Sequence, residues 1–230
     1  MTLRIILLIC ALCSVTSPSH ASIISSLFST GVMNNGTPIP ISTLDSHYKI
    51  IADYITGTSL LATTDAFASD ILPDNYVTAP ANSQWISAHP ILLPVDVGWY
   101  VFRTTFDLSG FDLSTVRIDG QTSQDNQTRG PGLLINEIDT GYVIGIANGP
   151  GQSLTDDNHV RLSPFSISSG FRNGLNTLDW RVFNTGDAMA LLVKVEGTGT
   201  LVNAVPEPSS FTILALLSAL GVNQIRRRRK

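Results

Sequence analysis

Trp99-Tyr100-Val101-Phe102-Arg103-Thr104-Thr105-Phe106-Asp107-Leu108 is the stretch that decides the fold. Side chains alternate along it with a period of two. Tyr100, Phe102, Phe106 and Leu108 fall on one face, with Thr104 the exception in that row, and Arg103, Thr105 and Asp107 fall on the other. A period of two over ten residues is the signature of a strand with one face buried and one face wet.

Working outward, the same grammar repeats. Residues 113–118 form a second run, closed by Asp119-Gly120. Residues 132–138 form a third, closed by Asp139-Thr140-Gly141, and 142–147 a fourth, followed by the turn formers Asn148-Gly149-Pro150-Gly151. Residues 162–167 suit a sheet edge, because Pro164 has no N–H to give to a ladder. Residues 176–183 put Leu178, Trp180 and Val182 on one face. Asn184-Thr185-Gly186-Asp187 then turns the chain, and 188–195 returns with Met189, Leu191, Val193 and Val195 together, which predicts a hairpin of the last two strands. Upstream, 27–31 reads as a short strand, Asn34-Asn35-Gly36-Thr37-Pro38 as a loop, 47–54 as a strand and Gln84-Trp85-Ile86 as a short buried one. Pro73, Pro80, Pro90 and Pro94 break up the rest. No window of this middle region keeps a helical period. The expected fold class is all-β, a jelly-roll or β-sandwich body over residues 22–204, flanked by an N-terminal signal helix and a short C-terminal hydrophobic helix.

The chain has 230 residues and a formal net charge of −4. That figure hides an asymmetry. Arg4 is the one charge of residues 1–21, and residues 206–230 hold five cations and one anion. The remainder carries 8 cations and 17 anions, a charge of about −9. An acidic body repels phosphate backbones and anionic lipid, so nucleic acid is rejected as a partner. Cys10 and Cys13, the two cysteines, both lie in the apolar N-terminal run, so residues 22–204 contain no thiol with which to form a disulfide.

The two ends read as addresses. Arg4, the apolar stretch 5–12 and the small residues Ser19 and Ala21 around His20 have the order of a secretory signal peptide, with Ser19 and Ala21 at the −3 and −1 positions of its cleavage site. A buried N-terminal helix and a lipoprotein signal are the alternatives. The latter needs a small residue before its cysteine, where this chain has Ile9 and Leu12. Residues 205–230 have three parts. Val205-Pro206-Glu207-Pro208 is held extended by its prolines. An apolar run follows, carried by Phe211, Ile213, Leu214, Leu216, Leu217, Leu220 and Val222, and then the cations Arg226, Arg227, Arg228, Arg229 and Lys230. The run is about 15 residues if counted to Ile225, short for a spanning helix, which needs roughly 17–25. Five cations resist translocation and stay cytoplasmic. The plain alternative is a single-span anchor with no processing.

Order and spacing in residues 205–230 resemble the PEP-CTERM sorting signal of Gram-negative, exopolysaccharide-producing bacteria. The resemblance implies recognition of Pro206-Glu207-Pro208 by an exosortase, a membrane cysteine protease-transpeptidase, after the export machinery has moved the body outward. The membrane is then a transient partner of the tail, and the localisation implied is inner-membrane anchoring followed by the cell surface or extracellular matrix. The body has its own resemblance. Phe28-Ser29-Thr30-Gly31-Val32, Asp45-Ser46-His47-Tyr48, a tryptophan near residue 85, Tyr100 through Leu108, and Gly174-Leu175-Asn176-Thr177-Leu178 recur in bodies with PEP-CTERM tails and look like galactose-binding-domain-like jelly rolls, as in many carbohydrate-binding modules. Related bodies have Asp-Asn followed by a strand that ends in Asn-Gly. Here Asp125-Asn126 is present, but Asn136 is followed by Glu137.

Candidate sites are few. His47, His89 and His159 sit in no recognisable catalytic context, and neither Gly-x-Ser-x-Gly nor His-Glu-x-x-His occurs. Glu137 and Glu196 are the two glutamates of residues 22–204. Fifteen aspartates make chance carboxylate pairs common, so they do not by themselves argue for glycoside hydrolysis. No enzyme is expected. Jelly rolls of this kind hold a structural ion where an early loop meets the last strand, and the resemblance therefore puts Asp45 and Glu196 forward as calcium ligands. Residues 119–126 and 156–158 are also oxygen-rich, as calcium requires, though neither matches an EF-hand loop. Solvated turns are the bland alternative. Sugar binding needs an aromatic platform with planar polar groups beside it. Trp180 is in phase with core residues, whereas Trp85 and Trp99 border loops. Arg103 and Arg181 lie on polar strand faces, where they meet either a carboxylated sugar or nearby Asp107 and Asp179. The expected function is an exported, non-catalytic surface or matrix protein that binds exopolysaccharide. A structural or adhesive body without a glycan ligand and an unrecognised secreted hydrolase are the alternatives.

Overall fold

The computed structural model describes residues 20–55, 63–69, 76–91, 96–126, 132–142, 157–186 and 188–202. Residues 205–230, expected to be a sorting tail, and residues 1–19 of the expected signal peptide lie outside the described residues, as do 143–147. Ala21–Val202 form one compact unit. No helix among the described residues is long and apolar enough to cross a membrane.

Eleven strands are described: β1 (Ala21–Ile23), β2 (Leu44–Ile55), β3 (Thr64–Ala68), β4 (Ile86–Ser87), β5 (Gly98–Asp107), β6 (Phe111–Asp125), β7 (Leu133–Ile135), β8 (Ile138–Asp139), β9 (Ser163–Ile167), β10 (Leu175–Asn184) and β11 (Ala190–Leu201), with one 3₁₀ turn at Asp157–Val160. They hydrogen-bond in the order β8-β7-β10-β5-β2-β3-β4-β11-β6-β9, with β1 added along β11. Every pairing is antiparallel. The class is all-β and sandwich-like: one antiparallel sheet curled until its two wings face each other. The front wing is β8, β7, β10, β5 and β2. The back wing is β11, β6, β9 and β1. The short strands β3 and β4 join the wings, β4 touching β11 through Ile86 and Leu191.

Alternation explains which face each strand buries. In β5 the row Tyr100, Phe102, Thr104 and Phe106 is buried, and β10 lays Leu178, Trp180 and Val182 beside it. From the back wing come Val116, Ile118, Phe165, Ile167, Leu191, Val193 and Val195, all in the same core cluster. Each such side chain contributes about 1.5–3 kcal/mol on burial. Pro164 sits in β9 at the end of the sheet order, the edge position its missing N–H calls for.

Four local expectations are corrected. The last two strands are not a hairpin: β10 pairs with β5 and β7, and β11 with β1, β4 and β6. The turn after Asn184 carries the chain from one wing to the other, since both edges of β10 are already taken. Residues 27–31 are irregular chain ending in a turn at Thr30-Gly31 rather than a strand. Their side chains act in place of a ladder: Val193 N–H donates to Thr30 Oγ1 at 3.0 Å, Val195 N–H donates to Ser29 Oγ at 3.1 Å, and Thr30 N–H donates to the Val193 carbonyl at 3.0 Å. The run 132–138 is a hairpin, β7 and β8 joined by Asn136-Glu137 with φ of 50° and 69°. Positive φ at both positions is what a tight type I′ connection demands. Asn136 holds it without a following glycine, donating to Gly170 O and Asn176 Oδ1 and accepting from Thr177 N–H.

The fourth correction is Asp119-Gly120, which does not close a strand. β6 runs on to Asp125, and Gly120 pairs with Val195 and Phe165. A Cβ there would meet the Lys194 carbonyl and come within 2.5 Å of Phe165 Cζ. Gly120 is therefore a packing glycine in a continuous strand. Gly120→Ala is expected to lower stability by about 1–3 kcal/mol through overpacking, read as a lower urea midpoint. An unchanged midpoint would mean that the strand breaks at this residue.

Candidate functional site

Asp45 lies at the start of β2 with its side chain buried. Its Oδ2 accepts from Gly31 N–H at 2.7 Å and its Oδ1 from His47 N–H at 2.8 Å. Burial raises the carboxyl above its usual range, and the amides of Gly31, His47 and Tyr48 hold that rise back. Gly31 needs this support: its φ is 67°, and a Cβ would lie 2.5 Å from Gln84 Cβ. Glu196, by contrast, is on the solvent face of β11, opposite Asp119, with Lys194 Nζ at 3.2 Å. Among the described residues no three His, Cys, Asp or Glu side chains converge as a metal site. Residues 119–126 belong largely to β6 rather than to an open loop, and Asp119 is taken by Arg117 at 2.6 Å.

The structure sorts the aromatic candidates. Trp180 is buried in the core. Trp85 is also buried, packed on Ala190 and Leu192 on the outer side of β11, with its Nε1–H donating to Val77 O at 3.1 Å. Trp99 remains half-buried on the outer face of the front wing. Backbone register sets Tyr54 of β2 and Phe183 of β10 on either side of it. The Phe183 ring meets the Trp99 ring edge-on at 5.2 Å, and the Arg181 guanidinium carbon lies 4.9 Å from the Trp99 centroid.

Two ion pairs continue this face. Arg103 grips Asp179 with both arms, Nε to Oδ1 and Nη2 to Oδ2 at 2.6 Å each, and Glu137 lies 3.9 Å from its Nη2. The bidentate bond raises the Arg103 pKa further. Lys49, opposite Arg103 on β2, pairs with Asp65 on β3. Asp107 pairs with neither arginine: Oδ1 accepts from the Ser109 amide and hydroxyl. The result is an open strand face of rings and planar polar groups.

A second constellation was not legible in the sequence. Tyr76 Oη donates to Asp125 Oδ2, and His159 Nδ1 lies 3.8 Å from Asp125 Oδ1. The Tyr76 and His159 rings stand 4.6 Å apart. Asn126 Nδ2–H donates to Asp125 Oδ1, and its Oδ1 accepts from Thr185 N–H at 3.0 Å. The cluster ties the 3₁₀ turn, the segment before β4, the end of β6 and the turn after β10 to one carboxylate. Asp125-Asn126 was the visible half of this signal; Tyr76 and His159 reach it only through the fold. The remaining histidines are elsewhere. His47 stacks on Phe28 at 3.8 Å, where burial lowers its pKa, and His89 is exposed.

No family model, no curated protein and no solved structure matches this chain.

Asp45→Asn turns an amide donor toward a backbone N–H, and is expected to cost about 1–3 kcal/mol. Glu196→Gln touches only an exposed pair and should stay within about 0.5 kcal/mol of the parent. Thermal melts in EDTA check this. Calcium held by the two residues demands the opposite pattern, in which both variants match the parent in EDTA and both fall below it in calcium.

Proposed function

We propose that the protein is an exported, non-catalytic surface or matrix protein, released or transferred by an exosortase, that binds exopolysaccharide through the outer face of its front wing. The observation that carries the export reading is the ordered tail: Pro206-Glu207-Pro208, an apolar run, then Arg226 to Lys230. The N-terminal order of Arg4, an apolar stretch and small residues at Ser19 and Ala21 supports the same reading from the other end of the sequence. An acidic body without thiols suits the same exterior. The jelly-roll relation of the body to galactose-binding-like modules belongs to this proposal, with support from two facing antiparallel wings and from the sequence stretches that resemble such modules.

The glycan reading rests on Trp99. It is the tryptophan that stays half-exposed, and it lies with Phe183 and Arg181 on a sheet face rather than in a hole. A flat row of rings and guanidinium planes suits an extended chain. One observation favours the hydrolase alternative, the placing of an imidazole and a phenol beside the buried carboxylate of Asp125. A carboxylate that orients an imidazole is a part of many acyl-transfer sites. In the proposed reading this cluster is a clamp on the chain.

In exosortase-deficient cells the full-length form is expected to accumulate in the inner membrane, whereas wild-type cells yield a shortened species outside it. Fractionation and mass spectrometry of the C-terminus decide this. Equal processing in both strains would leave a plain anchor. Trp99→Ala is expected to weaken binding to the host's own polysaccharide about tenfold, the loss typical of one aromatic contact, while Trp85→Phe leaves it unchanged. Affinity electrophoresis reads both.

A further inference from the structure

Among the described residues three cations stand on the outer face of the front wing, and their circumstances differ. Lys49 is paired with Asp65, and Arg103 is paired with Asp179 and approached by Glu137. Arg181 is stacked on Trp99, and among the described residues no carboxylate pairs with it. A cation over a ring face is held without a hydrogen bond, so this contact, at 4.9 Å from the Trp99 centroid, uses none of the guanidinium N–H donors. It also limits the side chain's freedom, so less entropy is lost when a ligand is gripped. A planar fork with five donors is matched by a planar carboxylate, which it binds through two parallel hydrogen bonds.

The charge of the whole body sets a second condition. Residues 22–204 hold 17 anions against 8 cations. At ionic strength near 0.1 M, charges interact over about 10 Å. A single carboxylate docked at Arg181 is governed by the local fork. A polyanion with a charge on every sugar extends beyond that radius and meets the acidic remainder of the body.

We propose that Arg181, stacked on Trp99, is a carboxylate-binding element, and that this face selects glycans carrying an isolated sugar carboxylate within an otherwise neutral chain. The inference rests on the reading of the face as glycan-binding and names its ligand class. Trp99 and Phe183 supply contact along the sugar rings, and Arg181 supplies the selection.

Isothermal titration of the full chain tests it with three probes: a neutral gluco-oligosaccharide, the same oligosaccharide ending in one glucuronate, and polygalacturonate. The single-glucuronate probe is expected to bind about tenfold tighter than the neutral one, the gain typical of a charge-assisted bidentate contact. Polygalacturonate, per sugar, is expected to bind no tighter than the neutral probe. In R181Q the two oligosaccharides bind alike, whatever their common affinity. R181K, which keeps the charge and loses the fork, retains only part of the preference. Thermal melts of each variant report whether the fold is intact. A wild-type protein that binds both oligosaccharides equally, or a preference that survives in R181Q, overturns the role of Arg181 and leaves glycan binding standing. Tightest binding to polygalacturonate overturns the selection for isolated charge. Absence of binding to all three overturns the glycan reading of the face, and the inference with it.

Discussion

Trp180 meets aromatic rings from both wings. Tyr48 of β2 lies 5.8 Å from it and Phe165 of β9 lies 6.3 Å away on the opposite wing. Everything else depends on this junction, because residues 22–204 have no thiol with which to cross-link one wing to the other. Its indole N–H has no acceptor among the described residues, which costs about 1–3 kcal/mol. Burying the ring is worth about 4–6 kcal/mol by area, so burial wins. The wings are held face to face by apolar contact, and the hydrogen-bonded link through β3 and β4 is short by comparison.

That constraint explains where glycine and hydroxyl residues fall. The back wing must lie close to what covers it, so β11 has Gly197 where Ile24 and Leu27 press in, and Gly199 where Phe111 and Val116 do. Gly120 in β6 has the same task beside Phe165. Ser29 and Thr30 complete the edge of β11 with hydroxyls rather than with a strand, satisfying buried amides that would otherwise destabilise the fold. Asp45 then fixes the Gly31 corner from inside.

The outer face of the front wing is firm because its inner face is. Trp99 and Arg181 alternate with Tyr100, Phe102, Trp180 and Val182, all of which are buried. Trp99 and Arg181 therefore stand on strands locked by the core, which is where geometry is held best. Arg103 gives its fork to Asp179 and stiffens the sheet, while Arg181 stacks on a ring. Two arginines on one face thus have different chemistry: Asp179 lies directly across the ladder from Arg103, whereas Arg181 has Val101 across from it and reaches Trp99 on the diagonal.

Much of the fold was legible because alternation is local. Which residues of β5 and β10 face inward follows from a period of two, and so does the burial of Trp180. The proposed reading of the tail is local too: its order of prolines, apolar run and cations is defined without a partner elsewhere in the chain. Pairing was not legible. The turn at Asn184 looks the same whether it closes a hairpin or crosses between wings, and only the occupied edges of β10 choose. Gly120 reads as a turn glycine until Phe165 is laid against it. Asn136-Glu137 lacks the usual glycine and turns nonetheless, since Asn176 and Gly170 hold Asn136 from a distant part of the chain. Local periodicity determined which side chains are core and which are wet. Contact between residues far apart in sequence decided which polar and aromatic ones stand together, as Asp125 with His159 and Trp99 with Arg181, because that choice depends on strand order, and strand order is set by the burial of two faces at once.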